Sequence, residues 1–178
     1  MEALQQLAAG FPDAAKDIRL NLSNVLQQST LTGAQKFGVA LAVAHATRNA
    51  SLAVAISAAG GAELTPEAQS DAQAAAALMA MNNVYYRFRH MVGKPEYEQL
   101  PPRLRMQRLA APASNKLDFE LFALAVSAVG GCESCVRAHE RVVTEGGLSS
   151  AQVNDAIRIA ATVNAAATAL AMASSVAA

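Results

Sequence analysis

Alanine fills 42 of the 178 positions, and no other feature of this chain narrows its fold as much. Alanine has the highest intrinsic helix propensity, because it loses no side-chain entropy and buries no polar group. Strands draw instead on β-branched and aromatic side chains. Aromatics are only 4% of the residues, and Trp is absent. Ten Gly and six Pro leave little turn punctuation. The expectation is an all-α chain. A length of 178 residues suits one domain, or two small halves sharing a core, with no need of disulfide staples. The same numbers exclude collagen-like, disordered and disulfide-rich classes.

Lys+Arg and Asp+Glu both number 14, so the formal net charge is zero. With no basic stripe and few aromatics, no nucleic-acid partner is expected. The mean hydropathy of +0.21 raises the question of a membrane. A spanning helix needs about 20 apolar residues. The run from Val39 to Ala44 stops at His45, and the tail from Ile159 to Ala173 is interrupted by Thr162, Asn164 and Thr168. Met1-Glu2-Ala3-Leu4 lacks the basic start of a signal peptide. These features predict a cytoplasmic protein with no membrane partner. Its surplus apolar surface would close helix–helix contacts within or between chains.

Punctuation divides the chain into helices. Pro12 suits the first turn of a helix carrying Ile18, Leu22, Val25 and Leu26. Helices follow over about 34–46 and 51–59, the latter ended by Gly60-Gly61. Thr65-Pro66 starts a longer one reaching about His90. Residues 93–112 hold four of the six prolines and read as a surface linker with at most one short helix. Arg103, Arg105 and Arg108 in it suit a solvated face, an interface or a docking patch for an acidic domain, the first two favoured. Beyond the linker come helices over 117–129 and 132–144, separated by Gly130-Gly131, and a last one capped by Leu148-Ser149-Ser150. Leu41-Ala42-Val43 matches Leu124-Ala125-Val126 at an offset of 83, which places Asn49 at Cys132 and Leu52 at Cys135. The organisation expected is one all-helical domain, 1–178. Residues 1–92 would be a degenerate N-terminal half, 93–112 the linker and 113–178 a half that keeps the chemistry.

The chemistry lies in Gly130-Gly131-Cys132-Glu133-Ser134-Cys135-Val136-Arg137-Ala138-His139, which holds both cysteines of the chain. Spacings of three and four put Cys132, Cys135 and His139 on one helix face. Unpaired N–H groups in the first turn favour a thiolate. A neighbouring imidazole takes the proton, and the second thiol is close enough to form a disulfide. Glu120 sits among Phe119, Leu121 and Phe122 in the preceding helix. If the helices fold back across Gly130-Gly131, it reaches His139 or the thiols. Two blander readings stay open: inert core cysteines, and a zinc site built from both thiols, His139 and a carboxylate. His45 reads as a core histidine or subunit contact, and His90 as a surface or interface residue.

The pattern Glu120, Cys132-Glu133-Ser134-Cys135 and His139 resembles the AhpD-type alkylhydroperoxidases of the carboxymuconolactone decarboxylase-like superfamily. Met81-Asn82-Asn83-Val84-Tyr85-Tyr86-Arg87, Leu104-Arg105-Met106, Phe119-Glu120-Leu121 and the run from Ala125 to Cys132 are also similar to that family. The resemblance covers nearly the whole chain. It implies an all-helical homotrimer that reduces organic hydroperoxides and hydrogen peroxide without a tightly bound cofactor. Dihydrolipoamide on a lipoylated acyltransferase would supply the electrons, and a peroxiredoxin is a further partner of some members. It implies that Cys135 attacks the peroxide, that Cys132 resolves the product into a Cys132–Cys135 disulfide, and that His139 and Glu120 relay protons. Ser134 replaces a histidine of some members, which touches proton handling and rate. A disulfide reductase acting on a peroxiredoxin and a zinc-binding or redox-sensing module are the alternatives.

Overall fold

The computed structural model describes residues 1–176, with side chains to residue 173. The described residues form ten α-helices and no strand: α1 (Glu2–Ala9), α2 (Lys16–Gln27), α3 (Gly33–Ala46), α4 (Ala50–Gly60), α5 (Pro66–Val92), α6 (Pro95–Gln99), α7 (Gln107–Ala110), α8 (Lys116–Val129), α9 (Glu133–Glu145) and α10 (Ser150–Val176). The all-α class follows from the alanine content. The helix starts follow from side-chain chemistry. Thr32 and Gln35 close a capping box on α3, each side chain accepting the other's backbone N–H. Thr65 caps α5, with Pro66 in its first turn. Gly93, at φ +60°, ends α5 in the left-handed region that glycine enters without steric cost.

Helices α3 and α8 form the centre, packed on each other and on both α5 and α10. Small residues allow the close approach: a side chain at Gly38 would collide with the Phe122 ring. Residues 39–44 of α3 and 119–126 of α8 are buried throughout. The two helices share one register, since Gly33 and Ala46 lie 83 residues before Lys116 and Val129. Gln35 and Asp118, matched on that offset, meet in the core. Gln35 Nε2 donates to Asp118 Oδ1 at 2.8 Å.

In two places the fold departs from the sequence reading. Residues 93–112 carry two short helices, α6 and α7, where at most one is expected. This stretch is pinned to α5 by a single buried carboxylate. Asp71 Oδ1 accepts from Arg108 Nε and the Ala113 N–H at 2.9 Å each; Oδ2 accepts from the Ser114 N–H and hydroxyl at 2.7 Å. Burial pushes the Asp71 pKa up, but the Ala113 and Ser114 hydrogen bonds and the Arg108 charge outweigh it, leaving the pKa below its usual value. Helix α10 is the second departure. Its segment Ser150–Ala173 is long and apolar enough, by length and composition, to cross a membrane. The helix packs on α2, α3 and α8 and buries Asp155, Ile159, Val163 and Ala166, so its apolar face is the inner wall of the bundle.

Candidate active site

The turn between α8 and α9 presents the two cysteines. Gly130 N–H donates to Val126 O at 2.9 Å and closes α8. Gly131 then takes φ +63°, which reverses the chain. Cys132 N–H reaches back to Ser127 O at 3.2 Å. Cys132 lies at the N-cap of α9 with extended backbone, φ −97° and ψ 95°, rather than inside the helix as the spacing predicts. A left-handed glycine leaves the next residue extended before helical geometry resumes at Glu133. Cys135 sits in the first turn, and the two cysteines are joined as a disulfide with Cα atoms 5.3 Å apart, within the usual range for such a bond. Cys132 is fully buried, Cys135 is 6% exposed, and Ser134 Oγ lies 3.5 Å from Cys132 Sγ.

Helix α5 supports this turn from outside. Asn83 Oδ1 accepts from the Ser127 hydroxyl at 3.0 Å, and its Nδ2 donates to Val126 O at 3.4 Å. Arg87, one turn on, donates to the Gly130 carbonyl. A Cβ on Gly130 would displace the Asn83 carboxamide, so glycine there leaves room for the prop. His90 Nε2 stands 3.2 Å from Glu133 Oε2, which also pairs with Arg137 through its other oxygen. The Arg137 hydrogen bond and charge, with the charge of His90, hold the Glu133 carboxyl below its usual range.

Glu120 and His139 meet across the Gly130-Gly131 turn. His139 Nδ1 is 2.6 Å from Glu120 Oε2, and the side chains are only 12% and 9% exposed. A hydrogen bond this short and shielded fixes the ring and leaves Nε2 for other work. A pocket of about 160 Å³ opens beside it, lined by Asn82, Tyr86, Ser134, Cys135, Ala138 and His139. The structure therefore gathers all four sequence-predicted residues: Cys135 and His139 on the pocket, Glu120 bonded to His139, and Cys132 bonded to Cys135. His45 is elsewhere, partly buried in the last turn of α3, with its pKa lowered by burial. No group of three or more His, Cys, Asp or Glu side chains among the described residues is arranged to hold a metal ion.

Asn82 and Tyr86 are site residues that the sequence reading gives no role. Their i, i+4 spacing places them on one face of α5. Two non-apolar side chains on one stripe of an alanine-rich helix are the signal that would have found them.

The carboxymuconolactone decarboxylase family matches residues 95–178, which include both cysteines. Curated relatives extend the similarity to nearly the full chain. The alkyl hydroperoxide reductase AhpD of Anaeromyxobacter dehalogenans (strain 2CP-C) is 62% identical over 97% of this chain and 93% of its own. Those of Gluconacetobacter diazotrophicus and Bradyrhizobium sp. (strain BTAi1) are 49% and 47% identical over 94% of this chain, and over 92% and 93% of their own. The chain belongs to the carboxymuconolactone decarboxylase family and, within it, to the AhpD group.

Proposed function

We propose that the protein is a cytoplasmic, lipoyl-dependent peroxidase that reduces organic hydroperoxides and hydrogen peroxide. The observation that carries this reading is one pocket shared by a redox-capable sulfur and an anchored imidazole: Cys135 beside His139, which is held by Glu120. Similarity to alkyl hydroperoxide reductases gives it direction.

In the reduced protein the Cys135 thiolate attacks the terminal oxygen of the hydroperoxide. An S–O bond forms, the O–O bond breaks, and the alkoxide takes a proton delivered through His139 and Glu120 to leave as alcohol. Cys135 becomes a sulfenic acid. Cys132 displaces its hydroxyl, which leaves as water, and closes the disulfide. A dithiol then exchanges with that disulfide; dihydrolipoamide on a lipoylated acyltransferase is the donor class implied by resemblance. Cys135 is assigned the attack because it lines the pocket, whereas Cys132 lies beneath it with no exposure. The cycle needs no tightly bound cofactor. A homotrimer is part of the same reading. Val84, Phe88 and Met91, spaced i, i+4 and i+7 on α5, are exposed apolar side chains that a neighbouring subunit would cover.

The test is hydroperoxide-dependent NADH oxidation in the presence of lipoamide dehydrogenase and lipoamide. Wild-type protein should sustain turnover and Cys135→Ser should abolish it. Full activity in Cys135→Ser would refute the assignment.

A further inference from the structure

Two adjacent asparagines on α5 differ in a way that points to a ligand. Asn83 has both ends of its carboxamide bonded, to Ser127 and to Val126. Asn82 is just as buried, at 4% exposure, yet its Oδ1 has no partner. Buried amides are almost always satisfied, because an unpaired polar group forfeits its hydration for nothing. An unpaired group that lines a pocket is one that a ligand or a water can complete. Asn82 lines the pocket that holds Cys135 and His139.

We infer that Asn82 is a peroxide-binding residue: its carboxamide oxygen accepts the hydroperoxide O–H and holds the terminal oxygen against Cys135. This rests on the peroxidase reading above. As the side chain stands its Oδ1 is closed off; no hydrogen bond among the described residues fixes the carboxamide, so a turn about its terminal torsion, which breaks none, is what brings the oxygen to the pocket. A hydroperoxide carries a single O–H donor, on the oxygen that Cys135 attacks. An acceptor placed across the pocket therefore orients the O–O bond for the sulfur. Asn82 gains and loses no proton; the S–O bond, the broken O–O bond and the proton from His139 remain as described. The alkyl part then meets Tyr86, one turn along the same helix face.

Asn82→Leu keeps the branched shape and removes the hydrogen bond. Three quantities are read: oxidation of the reduced protein by tert-butyl hydroperoxide in a single turnover, reduction of the disulfide by dihydrolipoamide, and thermal stability. The expected result is oxidation slowed about tenfold, with saturation moved to higher hydroperoxide, as loss of one hydrogen bond gives. Reduction by dihydrolipoamide should stay within about twofold. The melting temperature should hold or rise, since a buried unsatisfied group is replaced by an apolar one. Asn82→Ser, which keeps a polar oxygen, should recover part of the oxidation rate. Unchanged oxidation in Asn82→Leu, equal loss in the Ser and Leu variants, or a fall of both half-reactions together with the melting temperature would overturn the inference. A wild-type protein inert to hydroperoxide would sink the peroxidase reading and this inference with it; an active wild type with an indifferent Asn82→Leu would sink the inference alone.

Discussion

The turn at residues 47–49 and the turn at residues 130–132 have the same backbone and opposite uses. In both, the first N–H closes the preceding helix, onto Val43 and Val126. The middle residue is left-handed, Arg48 at φ +58° and Gly131 at φ +63°. The third caps the next helix in extended geometry, Asn49 at φ −103° and Cys132 at φ −97°. Asn49 Oδ1 accepts the Leu52 N–H at 2.9 Å. Cys132 makes no such bond, and the matching N–H is that of Cys135. A side-chain cap contributes about 0.5–2 kcal/mol. The second turn forgoes that stabilisation and has a sulfur there instead. On the offset of 83 the four residues of the site fall on Phe37, Asn49, Leu52 and Ile56. Residues 33–60 have core and cap residues at these places, and residues 116–145 have cysteines, a glutamate and a histidine. The two turns thus share a backbone path and differ in the side chains they carry.

The largest effect that probes this difference is at the match to Phe37. Glu120→Gln keeps a partner for His139 but removes the carboxylate. Peroxidase turnover should fall about 10²-fold or more, the scale of a lost general acid–base group, while the unfolding midpoint in denaturant barely moves. Unchanged turnover would make Glu120 a packing residue like its counterpart. A smaller effect sharpens the backbone equivalence. A Cβ on Gly131 meets nothing within 4 Å, so Gly131→Ala is charged only for its φ and should cost about 1–2 kcal/mol. Arg48→Gly removes a left-handed side chain but frees the unfolded chain, and should change stability by less than about 1 kcal/mol. Urea unfolding of both variants measures these values. A Gly131→Ala loss well above that range would mean that the second turn is held by more than its backbone.

Much of this was legible from composition and punctuation. Alanine dictated helices, and Gly-Gly and Thr-Pro marked their ends. Two helices folding back across Gly130-Gly131 bring Glu120 to His139 or the thiols; the choice of His139 is visible only in the structure. What escaped was set by long-range contact. Cys132 reads as helical from its spacing to Cys135; the left-handed Gly131 displaces it to the cap. The grip of Asp71 on residues 108–114 joins segments about 40 residues apart, which no local pattern encodes. Helices α6 and α7 are too short to show a period. Asn82 and Tyr86 share a stripe of α5, but what that stripe faces is set by the packing of α5 on α8 and α9, which no local pattern encodes.

Which sulfur meets the peroxide is the most direct question. Cys132→Asn gives the second turn the cap of the first and removes the thiol proposed to resolve the sulfenic acid. The reduced variant is pulsed with hydroperoxide, trapped with a sulfenic-acid reagent and mapped by mass spectrometry. The expected result is one added oxygen, trapped at Cys135, in a protein as stable as the wild type. An unmodified Cys135 thiol after a pulse that oxidises the wild-type pair would contradict it.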